Sequence, residues 1–322
     1  MSINWNEIRP AGNSDYNWKG VSMSANGSVV LAAVVGGRIY LSTDSGANFT
    51  ELSSPAGGTN RNWIWTAVSG DGAVQLAGGA GFLYVSTDSG ANWALNNPSG
   101  VRDYQGGVVS KDGSWALVGS NTGTGNRVWR YEVAEDDWTT YIPVAAGDWR
   151  NCLGISDDGS VMVAGNYSPG RLYLSTDNGA NWSEIQPLGN NDSYWNGAAV
   201  ASDNQTIIVG QDDTSHLYKS INQGSTWSDI FTDPDSYLNM VKMSSDGTQM
   251  MALSIAGSHK VYLSNDSGVS FINETPVGVT VINTIALARD KNKFVVGGNR
   301  LYYGNNITRR TTGPLPIFYK VP

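Results

Sequence analysis

The chain has 322 residues, of which 15% are charged and 10% aromatic, and it carries a formal net charge of −8 with a sequence pI near 4.7. An acidic surface with no cluster of Lys or Arg repels phosphate backbones and anionic lipid, which argues against a nucleic-acid or membrane-surface partner. No run approaches the roughly 18 apolar residues needed to span a bilayer, the N-terminus is too polar for a secretory signal, and the lone Cys152 excludes an internal disulfide and a cysteine-based metal site. No membrane insertion is expected, and the compartment stays open, with extracellular and virion-associated settings among the possibilities.

The chain opens on Asn4-Trp5-Asn6-Glu7-Ile8-Arg9-Pro10, which matches Asn181-Trp182-Ser183-Glu184-Ile185-Gln186-Pro187 far downstream. Turn signals then recur between apolar runs, at Asn26-Gly27, Asp71-Gly72, Asp112-Gly113, Asp158-Gly159, Asp203-Asn204, Asp246-Gly247 and Lys291-Asn292. Such dipeptides between hydrophobic runs predict hairpins with type I′ turns, whose two central residues need positive φ. They mark seven repeats.

A second phrase follows five of the seven hairpins. It reads Ser42-Thr43-Asp44-Ser45-Gly46-Ala47-Asn48-Phe49, and recurs from Ser86, Ser175, Ser220 and Ser264 as S-x-[DN]-x-G-x-x-[WF]. The starts differ by 44, 89, 45 and 44 residues, and Tyr131 to Trp138 fills the long gap in register. A period of about 40 to 50 residues marks a propeller or a solenoid. Residues 144–188 show the unit: strand a at Cys152 to Ser156, the Asp158-Gly159 turn, strand b at Val161 to Ala164, a variable loop, strand c at Arg171 to Ser175, and strand d opening at Trp182.

Four short antiparallel strands per repeat predict an all-β, seven-bladed β-propeller. The N-terminal strand (residues 3–10) is expected to complete the last blade, because Ile282 to Ile285, Phe294 to Val296 and Arg300 to Tyr303 supply strands a, b and c with no good strand d after them. Such a clasp closes the ring and removes sheet edges. Residues 1–306 then form one domain. Residues 307–322 form a C-terminal extension, packed on the ring or on a partner.

The S-x-[DN]-x-G phrase resembles the Asp-box, or BNR repeat, of sialidases, sortilin-type receptors and photosystem II assembly factors. The resemblance implies a structural role for Asp44, Gly46, Asp88, Gly90, Asp177, Gly179, Asn222, Gly224, Asp266 and Gly268: the acid or amide accepts N–H groups across a turn, and the glycine takes a conformation other residues resist. It does not carry sialidase activity here. Arg9 alone echoes that family's Arg-Ile-Pro motif, and the arginine clamp and tyrosine nucleophile have no counterpart.

Strand order puts the a–b and c–d turns on one face and the d–a and b–c loops on the other. Just before strand a, six repeats place an aromatic among polar neighbours, giving Tyr16, Trp18, Trp63, Tyr104, Trp149 beside Arg150, Tyr194, Trp195 and Tyr237 as ligand-binding candidates. A ring flanked by carboxylates and amides suits a sugar. The competing reading places the rings in the seams between blades, as repeated architecture dictates. The variable b–c loops share this face, including Asn121 to Asn126, Asn166 to Pro169, Asp212-Asp213, and the segments holding His216 and His259. Neither the histidines nor the acids have metal-ligand spacing, so no metal and no cofactor is expected.

The function these features suggest is non-enzymatic recognition, with glycan as the leading ligand through the aromatic d–a loops. A structural or assembly protein that binds other proteins is the alternative, and a glycoside hydrolase, which needs two facing carboxylates, is the third. Oligomeric state is open.

Overall fold

Short runs of β-branched, aromatic and leucine residues, each cut by Gly, Asp or Asn, can only be buried as short strands. In the computed structural model, which describes residues 3–98, 100, 102–121, 127–141, 147–233, 237–255, 257 and 259–306, the repeat chosen above folds as Leu153–Ile155, Met162–Gly165, Leu172–Ser175 and Ser183–Ile185. Neighbours pair antiparallel, with Ile155 opposite Met162, Leu174 opposite Val163 and Leu172 opposite Ile185. We keep the letters a to d for the four strands of each repeat, from the innermost outward.

Among the described residues, five such four-stranded sheets stand alone and one sheet has eight strands. In the latter, Trp18–Met23, Val30–Gly37, Ile39–Ser42 and Thr50–Glu51 continue into Arg61–Val68, Gln75–Gly79, Phe82–Ser86 and Ala94–Leu95. The expectation of seven separate four-stranded sheets is therefore corrected to five. The cause is local: strand Val30–Gly37 runs long enough for Val35 to pair with Asn62 and Gly37 with Arg61 of the following repeat.

Ile3–Ile8 pairs antiparallel with Leu301–Asn306, from Ile3 opposite Asn306 to Ile8 opposite Leu301, and so supplies the outer strand of the sheet built on Ile282–Leu287 and Lys293–Gly298. Trp18, Val34 and Tyr40 from the start of the chain share one core with Ala286, Val295 and Tyr303 from its end. The remaining cores likewise lie between successive sheets; Trp195 and Val209, for instance, pack on Cys152, Val163 and Leu172. Residues 307–322 lie outside the described residues.

Five of the a–b hairpins differ from the type I′ expectation, whereas Lys291 and Asn292, at φ 74° and 66°, meet it. At Gly27, Gly72, Gly113, Gly159 and Gly247 only the glycine has positive φ, and the preceding Asn or Asp does not. A serine ahead of the turn explains why. Ser69 Oγ donates to Asp71 Oδ1 at 2.6 Å and accepts the Val74 N–H at 3.0 Å, while Ala73 N–H bonds Asp71. Ser24, Ser110, Ser156 and Ser244 repeat the arrangement. These side-chain bonds replace ladder bonds and hold a wider S-x-[DN]-G loop. The serine was the missed signal.

Candidate functional site

The S-x-[DN]-x-G phrases are turns in which the acid is fully occupied. Ser42 Oγ donates to Asp44 Oδ1 at 2.8 Å, the Asn48 N–H reaches the same oxygen at 2.8 Å, and Asn48 Nδ2 reaches Oδ2 at 2.7 Å. Asp88, Asp177 and Asp266 repeat this geometry, and Asn222 reproduces it through its amide oxygen. The backbone passes through two consecutive left-handed residues, such as Ser45 and Gly46 at φ 62° and 78°. Donors from Asn48 and Ser42 hold the Asp44 carboxyl at about 2, and Asp177 and Asp266 sit equally low for the same reason. Acids committed in this way hold turns and offer no proton at neutral pH.

The aromatic set on the opposite face divides sharply. Trp18, Trp63, Tyr104, Trp149 and Trp195 are each 3% exposed or less. Each packs on a strand-c ring of its own repeat, as Trp18 does on Tyr40 at 5.4 Å and Trp63 on Phe82 at 4.8 Å. Tyr104 meets Trp129, Trp149 meets Tyr173, and Trp195 meets Tyr218 in the same way. These five therefore fill the seams and cannot stack on a sugar, which corrects the reading of them as ligand contacts. The physical cause is strand pleat: the first residue of strand a points between sheets. Tyr16 is half-buried, its hydroxyl on the Ala11 carbonyl, while Tyr194 at 37% and Tyr237 at 50% exposure keep open faces.

At the start of strand a the register breaks between Trp18 and Gly20, Trp63 and Trp65, Tyr104 and Gly106, Trp195 and Ala198, Leu238 and Met240, and Ile282 and Thr284. At the Trp195 break the next residue, Asn196, stays buried, and at the other five it leads elsewhere. A β-bulge re-aims its extra side chain, and here Lys19, Ile64, Gln105, Asn239 and Asn283 all line one depression of about 230 Å³ at a mouth of the central channel. Arg150 and Asn151 join them from the repeat without a bulge, as do Met240, Ile255, Ile282 and His259. Gly106 permits the closure, since a Cβ there would lie 2.0 Å from the Arg150 carbonyl oxygen. Among the described residues no carboxylate lines this amide-rich mouth.

Arg150 ties the mouth to a polar cluster beside it. Its Nε lies 2.9 Å from Asp148 Oδ1, and its guanidinium sits over the Tyr167 ring at 4.3 Å. Tyr194 meets Tyr167 edge-on at 5.8 Å, and Asp212 is buried nearby, within 3.5 Å of Asn196 Nδ2. Burial pushes the Asp212 carboxyl above its ordinary value. His259 Nδ1 lies 2.7 Å from the Ile282 carbonyl oxygen, whereas His216 is drawn to Asp229 at 2.5 Å, away from the mouth. Among the described residues no group of three or more His, Cys, Asp or Glu could hold a metal ion. Cys152 is sealed in the core, its thiol pushed up to about 12 by burial.

The other mouth, on the face of the a–b turns, is acidic. Asp71, Asp112, Asp157, Asp158 and Asp290 line a basin of about 570 Å³ with Lys111. Two cations lace across it. Lys111 Nζ lies 2.7 Å from Asp290 and 3.4 Å from Ser245 Oγ, and Arg289 Nε lies 2.9 Å from Asp157, with its Nη2 on the Val200 carbonyl at 3.1 Å. Beneath them runs an arc of backbone bonds between successive turns: Ala25 N–H to Gly70, Gly70 to Lys111, Asp112 to Asp157, Ser202 to Ser245, Ser245 to Arg289, and Asp290 back to Ala25. Between Asp157 and Ser202 the link is made by side chains, with Arg289 on Asp157 and the Val200 carbonyl and Asn204 Nδ2 3.3 Å from Asp158 Oδ2.

No family model matches the chain. It is 30% identical over 120 residues to a xyloglucanase of a Paenibacillus species, covering 32% of this chain and 12% of that protein, and 28% identical over 118 residues to a xyloglucanase of Hypocrea jecorina, covering 32% and 14%. The chain thus spans a small fraction of the length of these relatives. Among solved structures, "YCF48 bound to D1 peptide" superposes with a TM-score of 0.68 at 12% identity over 95% of this chain and 97% of that one. A hydrazine synthase chain of Kuenenia stuttgartiensis gives 0.68 at 13% identity over 94% and 99%. The fold is a β-propeller of small antiparallel four-stranded blades that resembles YCF48.

Proposed function

We propose that the protein is a non-enzymatic recognition propeller that binds an extended, carboxylate-bearing segment of a protein partner at the amide-rich mouth. In this reading the eight-stranded sheet counts as two blades, the ring of residues 1–306 has seven, and the S-x-[DN]-x-G phrases are Asp-boxes that punctuate it. The observation that carries the proposal is the set of side chains that six repeats send to a single mouth, five of them by a bulge. Gln105, Asn151, Asn239 and Asn283 offer donors and acceptors matched to peptide groups, Lys19 and Arg150 offer positive charge, and Ile64 and Met240 offer apolar contact. In a protein of net charge −8, a mouth lined by no carboxylate among the described residues selects acidic or chain-terminal groups. The structural neighbour that carries a bound peptide supports this reading as an analogy of fold alone.

The test is a peptide library displayed with free and amidated C-termini, followed by calorimetry on the binders. Binding that depends on a carboxylate and weakens in Lys19→Glu is expected. Binding confined to oligosaccharides would overturn it.

A glycan or glycoside-hydrolase reading is favoured by one cluster, in which Tyr167, Tyr194 and the upward-shifted Asp212 flank the Arg150–Asp148 pair. The partial likeness to xyloglucanases points the same way. Release of reducing ends from xyloglucan, lost in Asp212→Asn, would establish it.

A further inference from the structure

Between the two mouths the channel wall is built from one register position per repeat. Ser22, Ala67, Val108, Gly154, Ala199 and Ala286 pair with Leu31, Leu76, Leu117, Val163, Ile208 and Val295, and the equivalent position opposite Met251 is Lys242. Six small or apolar residues and one lysine thus line a cavity of about 120 Å³, together with Lys111 and Arg289 and, among the described residues, with no carboxylate in its wall. Arg289 is answered by Asp157 and Lys111 by Asp290. Lys242 has no hydrogen bond or ion pair among the described residues. Of the three cations on this wall, Lys242 alone has no paired acid among the described residues.

An unanswered ammonium in a protein-walled cavity is costly unless something negative joins it. Burial, with the Arg289 charge adding to it, holds the Lys242 ammonium down at about 8. The shape of the void narrows the choice of counter-charge. A cavity of about 150 Å³ accommodates a six-carbon ring, so this one has room for a few heavy atoms, and its alanine and valine belt suits an alkyl group better than a hydrated ion.

We propose that the channel interior binds a short-chain organic carboxylate, with its carboxyl group on the Lys242 ammonium and its alkyl part against Ala67, Val108, Ala199 and Ala286. The site is independent of the peptide reading at the amide-rich mouth, and free propionate tests it separately. Reductive methylation of the wild-type protein, read by peptide mass spectrometry, reports the accessibility of the Lys242 amine. Propionate at ten times its dissociation constant is expected to slow labelling of Lys242 about tenfold, while propionamide and chloride at the same concentrations leave the rate unchanged. Propionate is also expected to raise the melting temperature saturably in the wild type and to have no such effect in Lys242→Met, a substitution that preserves side-chain length. Unprotected labelling, equal protection by chloride, or a saturable rise that survives in Lys242→Met would each overturn the assignment.

Discussion

The two mouths of the channel are built from the same repeats and yet are opposites. At the a–b face five repeats end strand a in a serine-capped turn, six of the seven turn-to-turn contacts are backbone bonds, and Lys111 and Arg289 cross between acids. At the d–a face the repeats vary, bulges in five of them turn one side chain inward, and the lining is amide, cationic and apolar. One end is spent on holding the ring together, and the other is left free to differ between repeats. A rigid rim opposite a variable one is how a repeat scaffold combines stability with recognition.

The largest expected effect falls on the acidic mouth. Arg289→Ala leaves Asp157 without its main partner and the Val200 carbonyl without a donor, and a loss of about 3 kcal/mol in denaturant unfolding is expected. Replacing both Arg289 and Asp157 with Leu is expected to return more than half of that, because the stranded charge goes with its partner. A full loss in the double variant would show that packing, not the ion pair, holds this end.

At the opposite mouth the effect moves from folding to binding. Lys19 is exposed, and no hydrogen bond or ion pair holds it among the described residues. Lys19→Glu is expected to change stability by less than about 0.5 kcal/mol while weakening an acidic peptide about tenfold, or about 1.4 kcal/mol. Titration calorimetry and a thermal melt on the same sample separate the two.

The fold was legible because turns are local. The S-x-[DN]-x-G phrase needs only Asp44, Asn48 and two left-handed residues to close, so it could be read without knowing what lies across the ring. The match between Asn4 to Pro10 and a strand d likewise led to the pairing of Ile3–Ile8 with Leu301–Asn306. The site was not legible for the opposite reason. Whether Trp63 or Ile64 faces a ligand depends on a one-residue register break that no local pattern announces. The conspicuous aromatic went to the seam, and its plain neighbour went to the mouth. Lys242 was hidden because inner strands are covered on all sides; aligning the residue two before each a–b turn serine would have revealed it.

Acid exposes a smaller difference between the ends. Burial pulls the Asp158 carboxyl up, but donors from Ser160, Ser156 and Asn204 outweigh it and hold the group at about 2, below the ordinary 3.8. Its folded value is depressed, so its contribution is fully present above about pH 4 and is lost as the pH falls through about 2. Asp246, likewise held low in its turn, behaves the same way. Melting temperature is expected to drop through this window, and Asp158→Asn to flatten the drop by less than about 1 kcal/mol after solvent screening. An unchanged acid limb in Asp158→Asn would place the titration elsewhere.

The smallest effect is reserved for the exposed ring at the d–a face. Tyr237→Ala is expected to shift stability by no more than about 0.5 kcal/mol and to leave peptide affinity intact. A loss of oligosaccharide binding in this variant would redirect attention from the mouth to the outer tyrosines.

The backbone bonds that run from Ser202 through Ser245, Arg289, Ala25, Gly70 and Lys111 to Asp157 work as a hoop with one joint, fastened by the Arg289 side chain on Asp157 and the Val200 carbonyl. Away from that joint a repeat cannot swing outward alone, since its turn donates to one neighbour and accepts from another. Outward strain is carried along the hoop to the joint, where side chains rather than backbone take it. Amide hydrogen exchange at Ala25, Gly70 and Asp290 should accordingly report the parting of the whole hoop, in concert, rather than the fraying of whichever repeat is weakest.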